Sequence, residues 1–103
     1  MANYNVMGPV KAALEASVRY AAAELGPHGV RVFAVSPGPL RTRAASGIAQ
    51  FDELIADAKE RAPSQRLVDI AEVGRVVAFL VSGASSGMTG DTIYVDAGLH
   101  NVA

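Results

Sequence analysis

A tyrosine and a lysine stand close together near the start of the chain, in the stretch NYNVMGPVK. Tyr4 and Lys11 are seven positions apart, which on a helix puts them ~10 Å apart along the axis and ~20° from the same angular position. A lysine ammonium can hold the hydroxyls of a cofactor ribose, and its charge lowers the pKa of a neighbouring phenol, which helps the phenol to donate a proton. The pair indicates proton transfer beside a bound cofactor, although the same spacing taken alone also arises by coincidence.

A second candidate site is the loop SPGPLRT at residues 36–42, which follows the β-branched run of residues 30–35. That run predicts a buried strand, and the prolines predict that residues 36–39 are neither helix nor strand. Ligands of open α/β sheets bind beyond the carboxyl ends of the strands, where this loop would lie. Gly38 would let a ligand come close, and the backbone near Leu40 with the Thr42 hydroxyl could bind an amide or a phosphate. The alternative is an ordinary turn between a strand and a helix.

The other polar residues favour no further chemistry. The chain has no cysteine, which excludes disulfides, thiol catalysis and zinc–thiolate sites. His28 follows Gly-Pro and is predicted to be exposed, and His100 lies near the C-terminus with no partner pattern. No spacing typical of metal ligands occurs, so no metal site is expected.

Length and composition indicate one domain, residues 1–103, with a packed core. Half of the 103 residues are apolar, 18% are charged, and the formal net charge is −1. No basic stripe favours nucleic acid, and no apolar run approaches the roughly 20 residues that would span a membrane. The absence of cysteine and of a secretory signal leads us to expect a cytoplasmic protein.

The predicted elements alternate between helix and strand. Helices are expected at residues 12–25, ended by Gly26-Pro27, at 51 to about 61, and from a capping box at Asp69–Glu72 to about 81. Residues 92–95 predict a last strand. This order is typical of an α/β fold with a parallel sheet. Because two strands cannot bury so many apolar helix residues, the chain is predicted to be part of something larger.

Taken together, the segments NYNVMGPVKAALEASVRY, ELGPHGVRVFAVSPGPLRTRAASGI, RLVDIAEVG, AFLVSGASSGMTG and TIYVDAG are more specific than any one of them. With these segments, essentially the whole chain resembles the C-terminal part of the enoyl-[acyl-carrier-protein] reductases of bacterial type II fatty acid synthesis. These enzymes belong to the short-chain dehydrogenase/reductase superfamily. Most of the superfamily has its tyrosine and lysine four positions apart, whereas the wider spacing of Tyr4 and Lys11 is similar to the enoyl reductase branch, as is Ser46-Gly47-Ile48.

The resemblance implies a fold, a reaction and a cofactor. The expected fold class is α/β: the C-terminal portion of a Rossmann-like doubly wound parallel sheet, without the N-terminal dinucleotide-binding half. The expected reaction is nicotinamide-dependent reduction of trans-2-enoyl-[acyl-carrier-protein] to acyl-[acyl-carrier-protein], with NADH rather than NADPH as the form of NAD. The full-length enzyme is expected to be a tetramer with no nucleic acid or membrane partner, and residues 1–103 alone are expected to be inactive.

The resemblance also implies roles for individual residues. Tyr4 would stabilise the enolate of the substrate, and Lys11 would hold the nicotinamide ribose. The stretch along the nicotinamide and pyrophosphate would be Pro39, Leu40, Arg41, Thr42, Arg43 and Ala44. Residues 44–51 would form a substrate loop, and the acyl pocket would be lined by Met7, Ala45, Ile48 and Phe51.

The sequence also departs from the resemblance. It contains no strand followed by a glycine-rich turn, and no second active-site tyrosine upstream of Tyr4. Many relatives carry basic residues after Ser-Gly-Ile, where this chain has Ala49, Gln50 and Asp52. Two alternatives therefore stay open: a short-chain reductase that acts on a carbonyl, and a non-catalytic oligomerisation fragment in which the helix of residues 12–25 and the strand of residues 92–95 form the contacts.

Overall fold

The computed structural model describes residues 6–40 and 50–102. The main elements are α1 (Met7–Leu25), β1 (Ala34–Pro37), α2 (Phe51–Arg61), α3 (Ile70–Val81) and β2 (Thr92–Val95). Within these two ranges, three short 3₁₀ turns lie at Gly26–His28, Gly83–Ser85 and Leu99–Asn101. This order confirms the predicted alternation of helices and strands.

The two strands lie side by side in one sheet. The Ala34 amide donates to the Asp91 carbonyl at 3.1 Å, and the Gly38 amide donates to the Val95 carbonyl at 3.0 Å. Both strands advance in the same direction between these two bonds, so they are parallel, and α2 and α3 belong to the crossover that a parallel pair requires. The prediction of an α/β fold with a parallel sheet is confirmed.

The position predicted for the first strand is wrong: β1 spans Ala34–Pro37, whereas residues 30–35 were expected. The Val32 amide donates to the Thr89 hydroxyl at 3.0 Å. The Val32 carbonyl accepts from the Gly90 amide at 2.8 Å. The Thr89 hydroxyl thus replaces a strand carbonyl as the acceptor for Val32, and regular strand pairing begins only at Ala34.

Pro37 belongs to β1, although its sequence context predicted a loop. Ala34 and Gly38 both direct their amides to β2. Amide direction alternates along a strand, so Pro37 directs its nitrogen away from β2 and its missing N–H removes no bond of this pair.

Helix α1 starts at Met7, earlier than the predicted residue 12. Pro9 is compatible with this start because the first four amides of a helix need no intrahelical acceptor. The helix ends at Leu25 as predicted, but Gly26 has a right-handed φ of −51° and is not the left-handed cap. That role falls to Gly29, with φ 75°, because Pro27 suits the 3₁₀ turn that intervenes.

The sequence predicted helices α2 and α3 well. The bounds of α2, Phe51–Arg61, are those expected. The predicted capping box opens α3: the Glu72 amide donates to Asp69 Oδ1 at 2.8 Å. In return, the Asp69 amide donates to Glu72 Oε1 at 3.1 Å. At the other end of α3, the buried Ser85 hydroxyl contacts the Leu80 carbonyl at 2.7 Å.

The chain divides into two compact units, one of Met1–Ala34 with Ser86–Ile93 and one of Val35–Ser85 with Tyr94–Ala103. The buried apolar residues of the first unit, among those described, are Val18 and Ala22. Those of the second are Ile55, Ala58, Ala62, Val68 and Leu80. That residues 1–103 belong to one domain stays a prediction.

Many large apolar side chains remain exposed, including Val10 at 51%, Leu14 at 50% and Tyr20 at 78% on α1. Helix α3 likewise exposes Val77 at 41% and Val81 at 78%. We expect further protein to cover these exposed apolar faces, and this stays a prediction. Within residues 6–40 and 50–102, no helix is long and apolar enough to cross a membrane.

Candidate functional site

The lysine of the predicted pair lies on α1 in the first unit. Lys11 and Met7 are exposed and four residues apart, so their side chains emerge on the same side of the helix, about one turn from each other. Tyr4, the other member of the pair, lies outside the described residues. The predicted partnership of Tyr4 and Lys11 therefore stays a prediction.

A cavity of about 230 Å³ lies beyond the carboxyl end of β1 in the second unit. It is lined by Pro39, Leu40, Leu67, Val68, Asp69 and Ile70. Two residues predicted to contact the cofactor, Pro39 and Leu40, thus meet the segment that leads into α3. This is the end of a parallel strand at which α/β proteins place their ligands.

The remaining predicted site residues are only partly described. Phe51 is half-buried and is the first residue of α2, directly after Gln50, whose φ of 61° is left-handed. The other predicted cofactor and substrate residues, Arg41, Thr42, Arg43, Ala44, Ala45 and Ile48, lie outside the described residues.

Gly38 has a packing role that the sequence did not indicate. A Cβ at this position would lie 3.1 Å from Asp96 Cβ and 3.2 Å from Asp96 Cα. Gly38 therefore permits a close approach to the segment after β2, and the predicted approach to a ligand stays a prediction. The contact sets the spacing of the two chain segments where both strands end.

An ion pair supports the cavity wall that precedes α3. The Arg66 guanidinium donates from Nη1 to Glu72 Oε1 at 2.8 Å and from Nη2 to Glu72 Oε2 at 2.8 Å. Arg66 Nη1 also donates to the Leu67 carbonyl at 3.2 Å. These bonds from Arg66, helped by the Asp69 amide, lower the pKa of the Glu72 carboxyl from 4.5 to about 2. The pair with Glu72 also raises the pKa of Arg66.

A larger cavity of about 360 Å³ lies elsewhere in the second unit, between α3 and the end of β2. It is lined by Glu72, Arg75, Val76, Phe79 and Val95. None of the predicted cofactor or substrate residues borders it. We therefore place the candidate site at the smaller cavity beyond β1.

The structure reveals a cluster that sequence reasoning missed. His100 Nδ1 lies 2.9 Å from Asp96 Oδ2, and the His100 ring stacks on Tyr94 with 3.8 Å between centroids and 12° between planes. Asp96 also accepts from the Gly98 amide at 3.0 Å and from the His100 amide at 2.9 Å. The prediction that His100 has no partner pattern is thus wrong, because the four-residue spacing of Asp96 and His100 is such a pattern.

Metal ligation has no support in the described part of the chain. Across residues 6–40 and 50–102, no group of three or more His, Asp or Glu side chains could hold an ion. The cavity beyond β1 is lined by five apolar residues and one acidic residue, Asp69.

The family model described as Enoyl-(Acyl carrier protein) reductase matches residues 1–100. The chain belongs to this family. The resemblance predicted from the sequence is confirmed, including its place in the short-chain dehydrogenase/reductase superfamily.

Two curated relatives show how much of a family member this chain represents. The enoyl-[acyl-carrier-protein] reductase [NADPH] of Staphylococcus aureus is 51% identical over 100 residues, which are 97% of this chain and 39% of that protein. The enoyl-[acyl-carrier-protein] reductase [NADH] of Bacillus subtilis is 50% identical over 103 residues, which are 100% of this chain and 40% of that protein. The chain thus spans about two fifths of the length of these reductases.

A solved structure of the family has the same fold over this region. The Bacillus cereus enoyl-acyl carrier protein reductase, solved with NADP+ and indole naphthyridinone, matches with a TM-score of 0.92 and 48% identity. The match covers 100% of this chain and 40% of that one. The α/β fold of this chain is therefore the fold that a Rossmann-like enoyl reductase has over the matched region.

Proposed function

We propose that residues 1–103 supply the C-terminal part of an enzyme that reduces trans-2-enoyl-[acyl-carrier-protein] to acyl-[acyl-carrier-protein] in fatty acid biosynthesis. The family match over residues 1–100 is the observation that carries this proposal. Because the chain corresponds to about two fifths of its relatives, we assign the activity to a longer chain. Residues 1–103 alone are expected to show no turnover.

The cavity beyond β1 fits the nicotinamide end of a dinucleotide. Its apolar walls suit a planar ring, and we assign the Leu40 backbone to the carboxamide. Pro39 with Arg41, Thr42, Arg43 and Ala44 would continue along the nicotinamide and the pyrophosphate. We propose NADH as the reductant, although relatives are named for NADH and for NADPH.

Tyr4 and Lys11 carry the chemistry of this proposal. When bound, the reduced nicotinamide supplies the hydride that adds to the β-carbon of the enoyl thioester. The Tyr4 hydroxyl stabilises the negative charge that develops on the thioester oxygen, and the Lys11 ammonium holds the ribose hydroxyls and favours that charge. Their wide spacing suits a reaction in which the oxyanion forms at a distance from the carbon that accepts the hydride.

The acyl chain would lie beside residues 44–51. Met7, Ala45, Ile48 and Phe51 are the apolar side chains that we assign to its pocket. A loop that closes over them would exclude water while the hydride is transferred. Phe51, the last residue of this segment, is half-buried at the start of α2.

The test is a chimera in which residues 1–103 replace the aligned 103 residues of the Bacillus subtilis reductase. We expect it to reduce a crotonyl thioester with NADH, and we expect Tyr4→Phe and Lys11→Ala each to lower kcat/KM by about 10²-fold or more. Matched controls are Tyr20→Phe, at an exposed tyrosine, and Lys59→Ala, at the other lysine of the chain. A folded chimera without reductase activity would refute the proposal.

A carbonyl-specific reductase is an alternative function that the same chimera can distinguish. Such an enzyme would reduce simple ketones faster than the crotonyl thioester.

Oligomerisation is a second property to test. A homo-oligomer, tetrameric in the longer chain, is favoured by the exposed apolar residues Val10 and Leu14 of α1. Sedimentation of the 103-residue chain and of a Leu14→Glu variant tests this, because the substitution should dissociate an oligomer of copies that meet through α1.

A further inference from the structure

An ion pair between Arg66 and Glu72 joins the two ends of a short segment beside the cavity. Its guanidinium binds both carboxylate oxygens of Glu72, six residues later, at 2.8 Å each. Residues 67–70, which line the cavity, lie between the two partners. The third Arg66 contact, to the Leu67 carbonyl, fixes the first residue of that wall.

The same carboxylate also takes part in the capping box of α3. Glu72 Oε1 accepts from Arg66 Nη1 and from the Asp69 amide, at 2.8 and 3.1 Å. Arg66 therefore orients the group that caps α3, and the cap in turn orients Asp69. A planar guanidinium is required for this because a lysine ammonium cannot span both oxygens with two parallel bonds.

The Arg66 side chain does not itself border the cavity, so any effect on a ligand must pass through the wall. The residues that border it include Leu67 and Asp69, and both are hydrogen-bonded within this network. Pro39 and Leu40 belong to the same lining. A shift of the wall would change the width of the cavity at the residues assigned to the nicotinamide.

We propose that Arg66 is a positioning residue for the nicotinamide end of the cofactor: acting through Glu72 and the Leu67 carbonyl, it fixes residues 67–70 as a wall of the cavity beyond β1. This rests on the proposed function. In this role, Arg66 contacts neither the cofactor nor the substrate, but it sets the affinity of the enzyme for the cofactor.

The experiment uses the chimera with the Bacillus subtilis reductase and compares Arg66→Lys, Arg66→Gln, Glu72→Gln and the double variant Arg66→Gln/Glu72→Gln. We expect the KM for NADH to rise about 5-fold in Arg66→Lys and about 10-fold in Arg66→Gln, with kcat within about 2-fold. Glu72→Gln should resemble Arg66→Gln, and the double variant should add little because both substitutions break one interaction. The matched control is Arg61→Gln, at an exposed arginine that pairs with Asp57 and borders neither cavity.

Thermal midpoints measured for every variant separate positioning from loss of fold. A non-additive rise in KM that is partly relieved by lysine supports the inference. Unchanged KM for NADH in an active chimera overturns it, including the case in which only the midpoint or kcat falls. A folded but inactive parent chimera overturns the proposed function and this inference together, so the two failures are distinguishable.

Discussion

Gly98 lies so close to the Pro63 ring that a Cβ on the glycine would come within 2.9 Å of Pro63 Cγ. The neighbouring Ala97 carbonyl accepts from the Ser64 amide at 3.2 Å. Gly98 also has a φ of 87°, in the left-handed region. This contact holds the turn after β2 against the loop after α2, within the second unit.

Gly98→Ala should therefore destabilise the chain strongly. The substitution combines left-handed strain with overpacking against a rigid ring, and we expect a loss of about 2–4 kcal/mol in the free energy of unfolding. Urea denaturation measures it. The matched control is Gly29→Ala, which has a φ of 75° and nothing within 4 Å of the added Cβ, so only about 1–2 kcal/mol of strain applies. Equal losses for the two variants would contradict the packing argument.

Asp96 should stabilise the C-terminal turn more than His100 does. The Asp96 side chain is 8% exposed and accepts from two backbone amides and from His100 Nδ1. Asp96→Ala leaves those amides unpaired and should cost about 2–3 kcal/mol, measured by urea denaturation. His100→Phe keeps a ring on Tyr94 and both backbone bonds, so its loss should be at most about half as large. A larger effect of His100→Phe would refute this order.

The contribution of the capping box to stability should be measurable by substituting Asp69. Asp69→Ala removes the acceptor for the Glu72 amide and should lower the free energy of unfolding by about 1 kcal/mol. Asp69→Ser keeps a side-chain oxygen at the cap and should recover most of that loss. If alanine and serine variants unfold at the same urea concentration, the cap does not contribute.

The Arg66–Glu72 pair predicts a dependence of stability on pH. The folded-state pKa of Glu72, about 2, lies below the unfolded value of 4.5. The folded state therefore favours the ionised carboxylate, so this contribution is complete above pH 4.5 and is lost as the pH falls towards 2. We expect the stability difference between the unsubstituted chain and Glu72→Gln to be constant near neutral pH and to shrink in that acid range. Arg66→Met should bring the folded-state pKa of Glu72 closer to its unfolded value, so the loss of stability in acid should be smaller and should end at a higher pH. An unchanged acid profile in Arg66→Met would contradict the role of the arginine.

Local chemistry explains where the sequence predictions succeeded. Asp69 and Glu72 carry the whole signal of the capping box within four residues, so the start of α3 needed no knowledge of the rest of the chain. The run of Thr92–Val95 forms β2 with the expected bounds. The family was likewise recognised from short segments in a fixed order, and the family match confirms it.

Contacts between distant residues explain where the predictions failed. The start of β1 depends on the Thr89 hydroxyl, which accepts a hydrogen bond from the Val32 amide across a sequence separation of 57 residues. The packing role of Gly38 depends on its contact with Asp96, and no local sequence pattern indicates that these two residues are close. The Tyr4–Lys11 pair and the loop after Leu40 stay predictions, because Tyr4 and residues 41–49 lie outside the described residues.

By itself, the sequence determined the family, the α/β order of elements and the capping box of α3, because propensity, capping and motif spacing act over a few consecutive residues. The tertiary structure alone decided that Pro39 and Leu40 share a cavity with residues 67–70 and that Arg66 supports that wall through Glu72. The physical reason is that a cavity arises where segments far apart in the chain pack together. Their separation and their hydrogen-bond partners are set by the fold of the whole unit.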